Sequence, residues 1–144
     1  MLVDTIKQDM ITAWKKQKDS SLYALKKDTL SFLLSKIKNR AIELKVEALP
    51  DSEVLSIIQK MIKELNDEKA NFEKFGLERV NDVVRVSTQL SFIENYLPEQ
   101  LTEDEIRYII HDQSLSGIPE IMKYFKTYYA GQVDMALVNK IARG

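Results

Sequence analysis

Apolar residues in this chain recur every three or four positions rather than every second position. This spacing places apolar side chains along one face of an α-helix. The longest such run, from Leu30 to Ala48, follows the capping candidates Asp19 and Ser20 and precedes Pro50. The valines between residues 80 and 86 also suit a strand, but their spacing is closer to 3.6 than to 2. The pattern therefore predicts an all-α fold.

The apolar runs predict four longer helices in the first two-thirds of the chain. Each is expected to bury a stripe, and the third stripe extends to Phe72 and Phe75. Gly76 follows where a left-handed C-terminal cap is expected, because glycine adopts that conformation with the smallest penalty. The fourth stripe starts at Val80 and includes Val84.

A joint between two helical modules is predicted around Pro98. Proline lacks an amide hydrogen and disfavours helix at the preceding residue, so the fourth helix should stop at about Leu97. Thr102 and Glu105 then have the spacing of a capping box, which starts a new helix. The sequence thus predicts an N-terminal bundle of about four helices, residues 1–97, and a small three-helix C-terminal module, residues 98–144. Gly131 and Asp134 are expected to end and begin helices within that module.

Composition narrows the possible chemistry. There is no cysteine, so disulfides, zinc–thiolate sites and a cysteine nucleophile are excluded. No apolar run approaches the length of a membrane span, and no targeting segment is seen. These features predict a soluble protein of the cytoplasm, or of an organelle matrix if the chain is processed, without membrane association.

No catalytic or metal-binding constellation is visible. His111 is the single histidine, and a nucleophile-based site would need a distant serine. We expect His111 to be a partly exposed surface residue. Glu103, Asp104 and Glu105 crowd one turn, which the helix macrodipole explains without a metal. No Walker or dinucleotide glycine pattern occurs, so neither catalytic residues, metal ligands nor cofactors are assigned.

Several blocks, in order, resemble the YqeY-like family across nearly the whole chain. They are Asp9-Met10 with Ala13, Lys18-Asp19, Ser35 to Glu43, Phe72 to Gly76, Tyr96 to Leu101, and Gly131 to Asp134 with Val138-Asn139. Pro119 and Lys123 stand where the family usually has glycines.

The resemblance implies two helical domains. The C-terminal module is similar to the tail domain of the B subunit of the tRNA-dependent amidotransferase, which is a tRNA-contacting appendage. The label glutamine-dependent carbon–nitrogen ligase, with glutamine as amido-nitrogen donor, is implied only by association, because the chemistry lies in other domains and subunits. The resemblance implies tRNA or a tRNA-handling enzyme as partner, and DNA is not expected.

The tail is the first candidate for RNA contact. Residues 117–144 hold four Lys/Arg against two Asp/Glu, whereas residues 49–116 are acidic. Lysines bind phosphates and tyrosines stack on unpaired bases. The alternative is that some of the tyrosines at positions 124, 128 and 129 belong to the core. The candidate RNA-binding residues are Lys123, Lys126, Tyr128, Gly131, Lys140 and Arg143.

A secondary basic strip is predicted on the second helix. It consists of Lys36, Lys38 and Arg40, and Lys27 and Lys45 are further basic positions away from the apolar stripe. Such residues also suit the solvated side of any amphipathic helix. The sequence favours a non-catalytic binding protein that contacts tRNA or a tRNA-handling enzyme. The alternative is a protein–protein adaptor with no RNA contact, and the oligomeric state is undetermined.

Overall fold

The computed structural model describes residues 1–144 as seven α-helices and one 3-10 turn. In chain order these are α1 (Leu2–Lys16), α2 (Ser21–Leu44), α3 (Asp51–Glu73), the 3-10 turn Gly76–Arg79, α4 (Val80–Glu94), α5 (Glu103–Asp112), α6 (Ile118–Tyr128) and α7 (Met135–Arg143). The all-α prediction, with four longer helices before three short ones, is confirmed. The chain divides into two compact units, Met1–Tyr96 and Leu97–Gly144.

In the first unit, α1 packs along α2 and α3 packs along α4. Short connections make each pair an antiparallel hairpin. The core between the hairpins contains Ile6, Leu33, Ile58 and Ile93, which are 3% exposed or less. Aliphatic side chains at helical spacing therefore supply this core.

Thr29 is the one buried polar side chain of the chain. Its hydroxyl donates to the Leu25 carbonyl at 2.8 Å and accepts from the Gln89 amide at 3.3 Å. A buried hydroxyl without partners would be costly, so this pair both satisfies Thr29 and ties α2 to α4.

The second helix ends earlier than its apolar pattern predicts. Lys45 adopts a left-handed conformation, with φ 56°, and closes α2 after Leu44. Pro50 therefore lies beyond the end of α2, and Ala48 lies exposed in the connection. Leu49, which follows it, is buried instead.

Asp51 is the first residue of α3 but does not cap that helix. The N-cap of α3 is Pro50, which makes no side-chain cap bond. The Asp51 carboxylate instead accepts a hydrogen bond from the Leu2 amide at 2.9 Å, so it serves the N-terminus of α1. A carboxylate is favoured there by the unpaired amides and the positive end of the helix dipole.

Two of the predicted core stripes include residues that are exposed in the structure. Phe75 lies beyond the end of α3 and is 61% exposed. Val80 and Val84 are exposed as well, whereas Val86 is fully buried in their place. Helical period alone does not show where a neighbouring helix stops covering a stripe, which explains Phe75. Val84 and Val86 are two residues apart and lie on different sides of α4, so the predicted stripe takes the wrong side of the helix at Val84. Gly76 has the left-handed φ expected of it, but it opens the 3-10 turn, which the sequence did not predict.

Candidate nucleic-acid interface

The second unit is built on two strong local signals. Thr102 accepts from the Glu105 amide while the Glu105 side chain accepts from the Thr102 amide, so the predicted capping box starts α5. Asp134 accepts from the Ala136 amide at 3.0 Å and starts α7, also as predicted. Between these helices lies a small core, whose buried members are Ile106, Ile121, Phe125, Val133 and Val138.

Two segments that carry the family resemblance meet in this unit. The Gln100 side-chain amide donates to the Gly131 carbonyl, and the Leu101 amide donates to the Gln132 carbonyl at 2.7 Å. The segment before α5 is thereby fixed against the loop between α6 and α7. Sequence reasoning missed Gln100, because nothing in a linear pattern marks a side chain whose partner lies 31 positions away.

Gly131 contributes to the shape of the loop between α6 and α7. Its φ is 78°, in the left-handed region where glycine is favoured, and the residue is buried. Its carbonyl is already bonded to Gln100. Gly131 thus shapes the loop, and a ligand contact by this residue would have to involve its backbone.

The four basic residues of the tail occupy the outer faces of two helices. Lys123 and Lys126 lie on the side of α6 away from Phe125, and Lys140 and Arg143 lie on the side of α7 away from Val138. All four are exposed. Each pair is spaced by three residues, so its members are neighbours on the helix surface. The arrangement gives each helix two adjacent cations.

None of these four cations is engaged in an ion pair. By contrast, the other four arginines of the chain all pair with carboxylates: Arg40, Arg79, Arg85 and Arg107. Arg143 is therefore the one arginine whose guanidinium has no acidic partner. Free, solvent-exposed cations remain available for an external anion such as a phosphate.

The tyrosines of the tail form a cluster of their own. Ring centroids of Tyr124 and Tyr128 lie 4.8 Å apart, and those of Tyr124 and Tyr129 lie 6.2 Å apart. Burial, the neighbouring Tyr129 and Tyr128 and the carboxylate of Asp112 raise the pKa of Tyr124.

The cluster does not share a face with the lysines of α6. At about 100° per residue, Tyr128 lies roughly 160° around the helix from Lys126. Tyr128 is 66% exposed, whereas Tyr124 and Tyr129 are half-buried against the core. Tyr128 is thus the tyrosine of the cluster best placed to stack on a base, from a side of α6 different from the one that would hold a phosphate.

The secondary basic strip is split between two faces of α2. Lys36 lies 3.6 Å from Glu64, and Arg40 lies 3.3 Å from Glu53 and 3.0 Å from Glu43. The hydrogen bonds to Glu43 and Glu53 raise the pKa of Arg40. Both residues therefore link α2 to α3, whereas Lys38 faces a different groove beside α1. Lys45, outside the helix, does not continue the strip.

His111 is exposed on α5 at the edge of an open groove of about 550 Å³. Arg107, Ser114 and Ile141 line the same groove. The imidazole makes no hydrogen bond to a hydroxyl or a carboxylate, so no nucleophile is activated there. The prediction of an exposed surface histidine agrees with this position.

The three acidic residues in the first turn of α5 all have partners within the chain. Glu105 completes the capping box, and Glu103 and Asp104 pair with Arg107. No group of three or more His, Cys, Asp or Glu side chains is arranged to hold a metal ion.

None of the helices has both the length and the apolar character required to cross a bilayer.

Comparison with known proteins places the chain in a family. The model of the YqeY-like proteins matches residues 3–144. No curated protein matches the sequence.

Proposed function

Because the chain belongs to the YqeY-like family, we propose that it is a non-catalytic binding protein whose C-terminal module contacts tRNA. The proposal combines the resemblance of that module to the amidotransferase tail domain with the chemistry of its surface. It assigns phosphate contact to Lys123, Lys126, Lys140 and Arg143, and base stacking to Tyr128. Gly131 shapes the loop between the two basic helices.

The main support for the proposal is the set of four exposed cations on α6 and α7 that form no ion pair within the chain. An exposed lysine or arginine that has no intramolecular partner can neutralise a phosphate without first breaking an ion pair. On α2, Arg40 and Lys36 would have to give up Glu53 and Glu64, which leaves Lys38 as the single unpaired cation of that strip and makes the strip a poorer phosphate site than the tail. The cations of the tail therefore favour RNA contact through the second unit.

Phosphate contact predicts weak binding that depends strongly on salt. Each phosphate contact contributes roughly −0.7 to −0.9 to the slope of log affinity against log salt concentration. Four contacts give a slope of about −3, and affinity then falls by about 60-fold between 50 and 200 mM salt.

Titration of the purified chain with bulk tRNA at two salt concentrations tests the proposal. Binding at low salt that weakens steeply at high salt is expected. A lack of binding at low salt, or affinity that does not change with salt, would contradict it. If tRNA does not bind but a tRNA-handling enzyme is retained on the immobilised chain through residues 123–143, the module would be a protein-binding one instead.

A further inference from the structure

A second surface lies in the first unit, between α1 and α2. It is a groove of about 700 Å³ whose walls come from both helices and whose end is closed by the connection at residues 46–49. Val3, Ile37 and Leu49 form its floor and are buried. The groove uses residues 3–49 only, so binding there is separable from tRNA contact by residues 123–143.

Large apolar side chains along this groove are exposed. Ile42 is 64% exposed and Val46 is 41% exposed, although both line the groove beside a buried floor. Leu34 and Ala41 also line the groove and are half-buried. Covering these side chains would remove apolar surface from water, which favours association.

The dimensions of the groove match a short helix. Leu34 and Ile42 are eight residues apart, which corresponds to about 12 Å along α2, or two helical turns. An amphipathic helix of two to three turns presents apolar residues at i, i+3 or i+4, and i+7, the spacing that helix-in-groove recognition uses. An extended peptide would leave its backbone groups unpaired over this apolar floor, so it fits less well.

Basic and acidic side chains lie at different positions along the groove. Lys7 on α1 and Lys38 on α2 are exposed and take part in no ion pair. Glu47 lies at the closed end, and Asp4, one turn before Lys7, is paired with the Met1 amine at 3.6 Å. One end of the groove is therefore basic and the other end is acidic.

We infer that this groove binds an amphipathic helix of a partner protein in one fixed direction. The positive N-terminal end of the bound helix lies at Glu47, and its negative C-terminal end lies between Lys7 and Lys38. Acidic side chains in the last turn of the partner helix pair with the two lysines. RNA fits the groove less well, because most of its lining is apolar and the Glu47 carboxylate would repel phosphates at the closed end.

Selection from a displayed library of helical peptides against the full chain tests the inference. The enriched peptides are expected to carry apolar residues at i, i+3 or i+4, and i+7, with acidic residues in their last turn. Synthetic copies are then measured by fluorescence polarisation. Ile42→Ser should weaken binding by about tenfold or more, as loss of a buried anchor does. Leu77→Ser is the control, since Leu77 is 89% exposed and does not line the groove.

The direction of the helix is tested by charge exchange. Lys38→Glu should weaken the binding of a peptide that has acidic residues in its last turn. The same variant should bind more tightly to a peptide in which those residues are replaced by lysine. Enriched peptides that bind Ile42→Ser as tightly as the parent chain would overturn the inference. So would peptides whose acidic residues lie in the first turn. Concentration-dependent self-association that Ile42→Ser abolishes would assign the groove to a second copy of this chain and would also overturn it.

Discussion

The phenol of Tyr96 donates a hydrogen bond to the carboxylate of Asp9 and so joins the segment after α4 to α1. The two residues are 87 positions apart, and both are half-buried. Each belongs to a block by which the chain resembles its family. This bond brings the two blocks together and holds the last residues of the first unit against its first helix.

Removing the Tyr96 hydroxyl tests this bond. Tyr96→Phe keeps the ring but leaves the Asp9 carboxylate without its donor, so the free energy of unfolding should fall by about 1 kcal/mol. Tyr23→Phe is a matched control, because the Tyr23 hydroxyl makes no such bond. Urea denaturation of both variants at pH 7 measures the difference. Equal stability of Tyr96→Phe and the parent protein would rule out a stabilising role.

The same pair predicts a dependence on alkaline pH. Burial, followed by the hydrogen bond and charge of Asp9, raises the pKa of Tyr96. The unfolded state then loses its phenolic proton at about pH 10 while the folded state keeps it, so this contribution to stability is lost as pH rises above that value. Between pH 9 and 11 the parent protein should lose more stability than Tyr96→Phe. Parallel curves for the two proteins would contradict this.

Gln100 is expected to stabilise the second unit through its bond to Gly131. Gln100→Ala removes the donor to a buried carbonyl and should cost about 1 kcal/mol. It should also speed amide hydrogen exchange at residues 131–133. Gln113→Ala, an exposed change on the same unit, is the control. Unchanged exchange in the loop of Gln100→Ala would show that the bond does not hold the loop.

Lys45 has a left-handed backbone conformation, so its replacement by glycine is expected to stabilise the protein. Lys45 has φ 56°, and the Val46 amide bonds to the Ala41 carbonyl, which is the pattern of a C-terminal cap usually formed with glycine. Lys45→Gly should raise the free energy of unfolding by about 1 kcal/mol, because glycine relieves the clash of Cβ in this conformation.

Ser114, with φ 53°, provides the same test at the end of α5. Ser114→Gly should also raise the stability, whereas Lys18→Gly, outside a left-handed position, should not. A decrease in melting temperature for Lys45→Gly would show that the Lys45 side chain contributes more than the strain removes.

His111 provides a test of the non-catalytic proposal. The purified chain should show no glutaminase or aminoacyl-tRNA amidation turnover above buffer. His111→Ala should leave the free energy of unfolding within about 0.5 kcal/mol of the parent, because the imidazole is exposed and makes no side-chain hydrogen bond. Turnover that copurifies with the chain and disappears in His111→Ala would overturn the proposal.

Local signals in the sequence were sufficient for most of the fold. The capping box of Thr102 and the Asp134 cap depend on residues two or three positions away, so a linear pattern contains them. Phe75 shows the limit of such patterns. Its position continues the apolar stripe of α3, but whether a neighbouring helix covers it depends on where α3 and α4 end.

The candidate site depends more on tertiary contacts. Lys36 and Lys38 look equivalent in the sequence, yet positions two residues apart point to different sides of a helix. Lys36 meets Glu64 of α3, whereas Lys38 lies beside α1. The tail cations could be identified from composition, but their freedom from ion pairs follows only from the placement of every carboxylate.

The salt dependence of tRNA binding by tail variants tests the central proposal most directly. The double variant Lys140→Ala/Arg143→Ala removes two of the four proposed phosphate contacts, and Lys60→Ala/Lys74→Ala removes two lysines of the first unit. We predict that the tail variant reduces the slope of log affinity against log salt from about −3 to about −1.5, while the control leaves it unchanged. A slope that is unaltered in the tail variant, or reduced equally in both, would contradict RNA contact through α6 and α7.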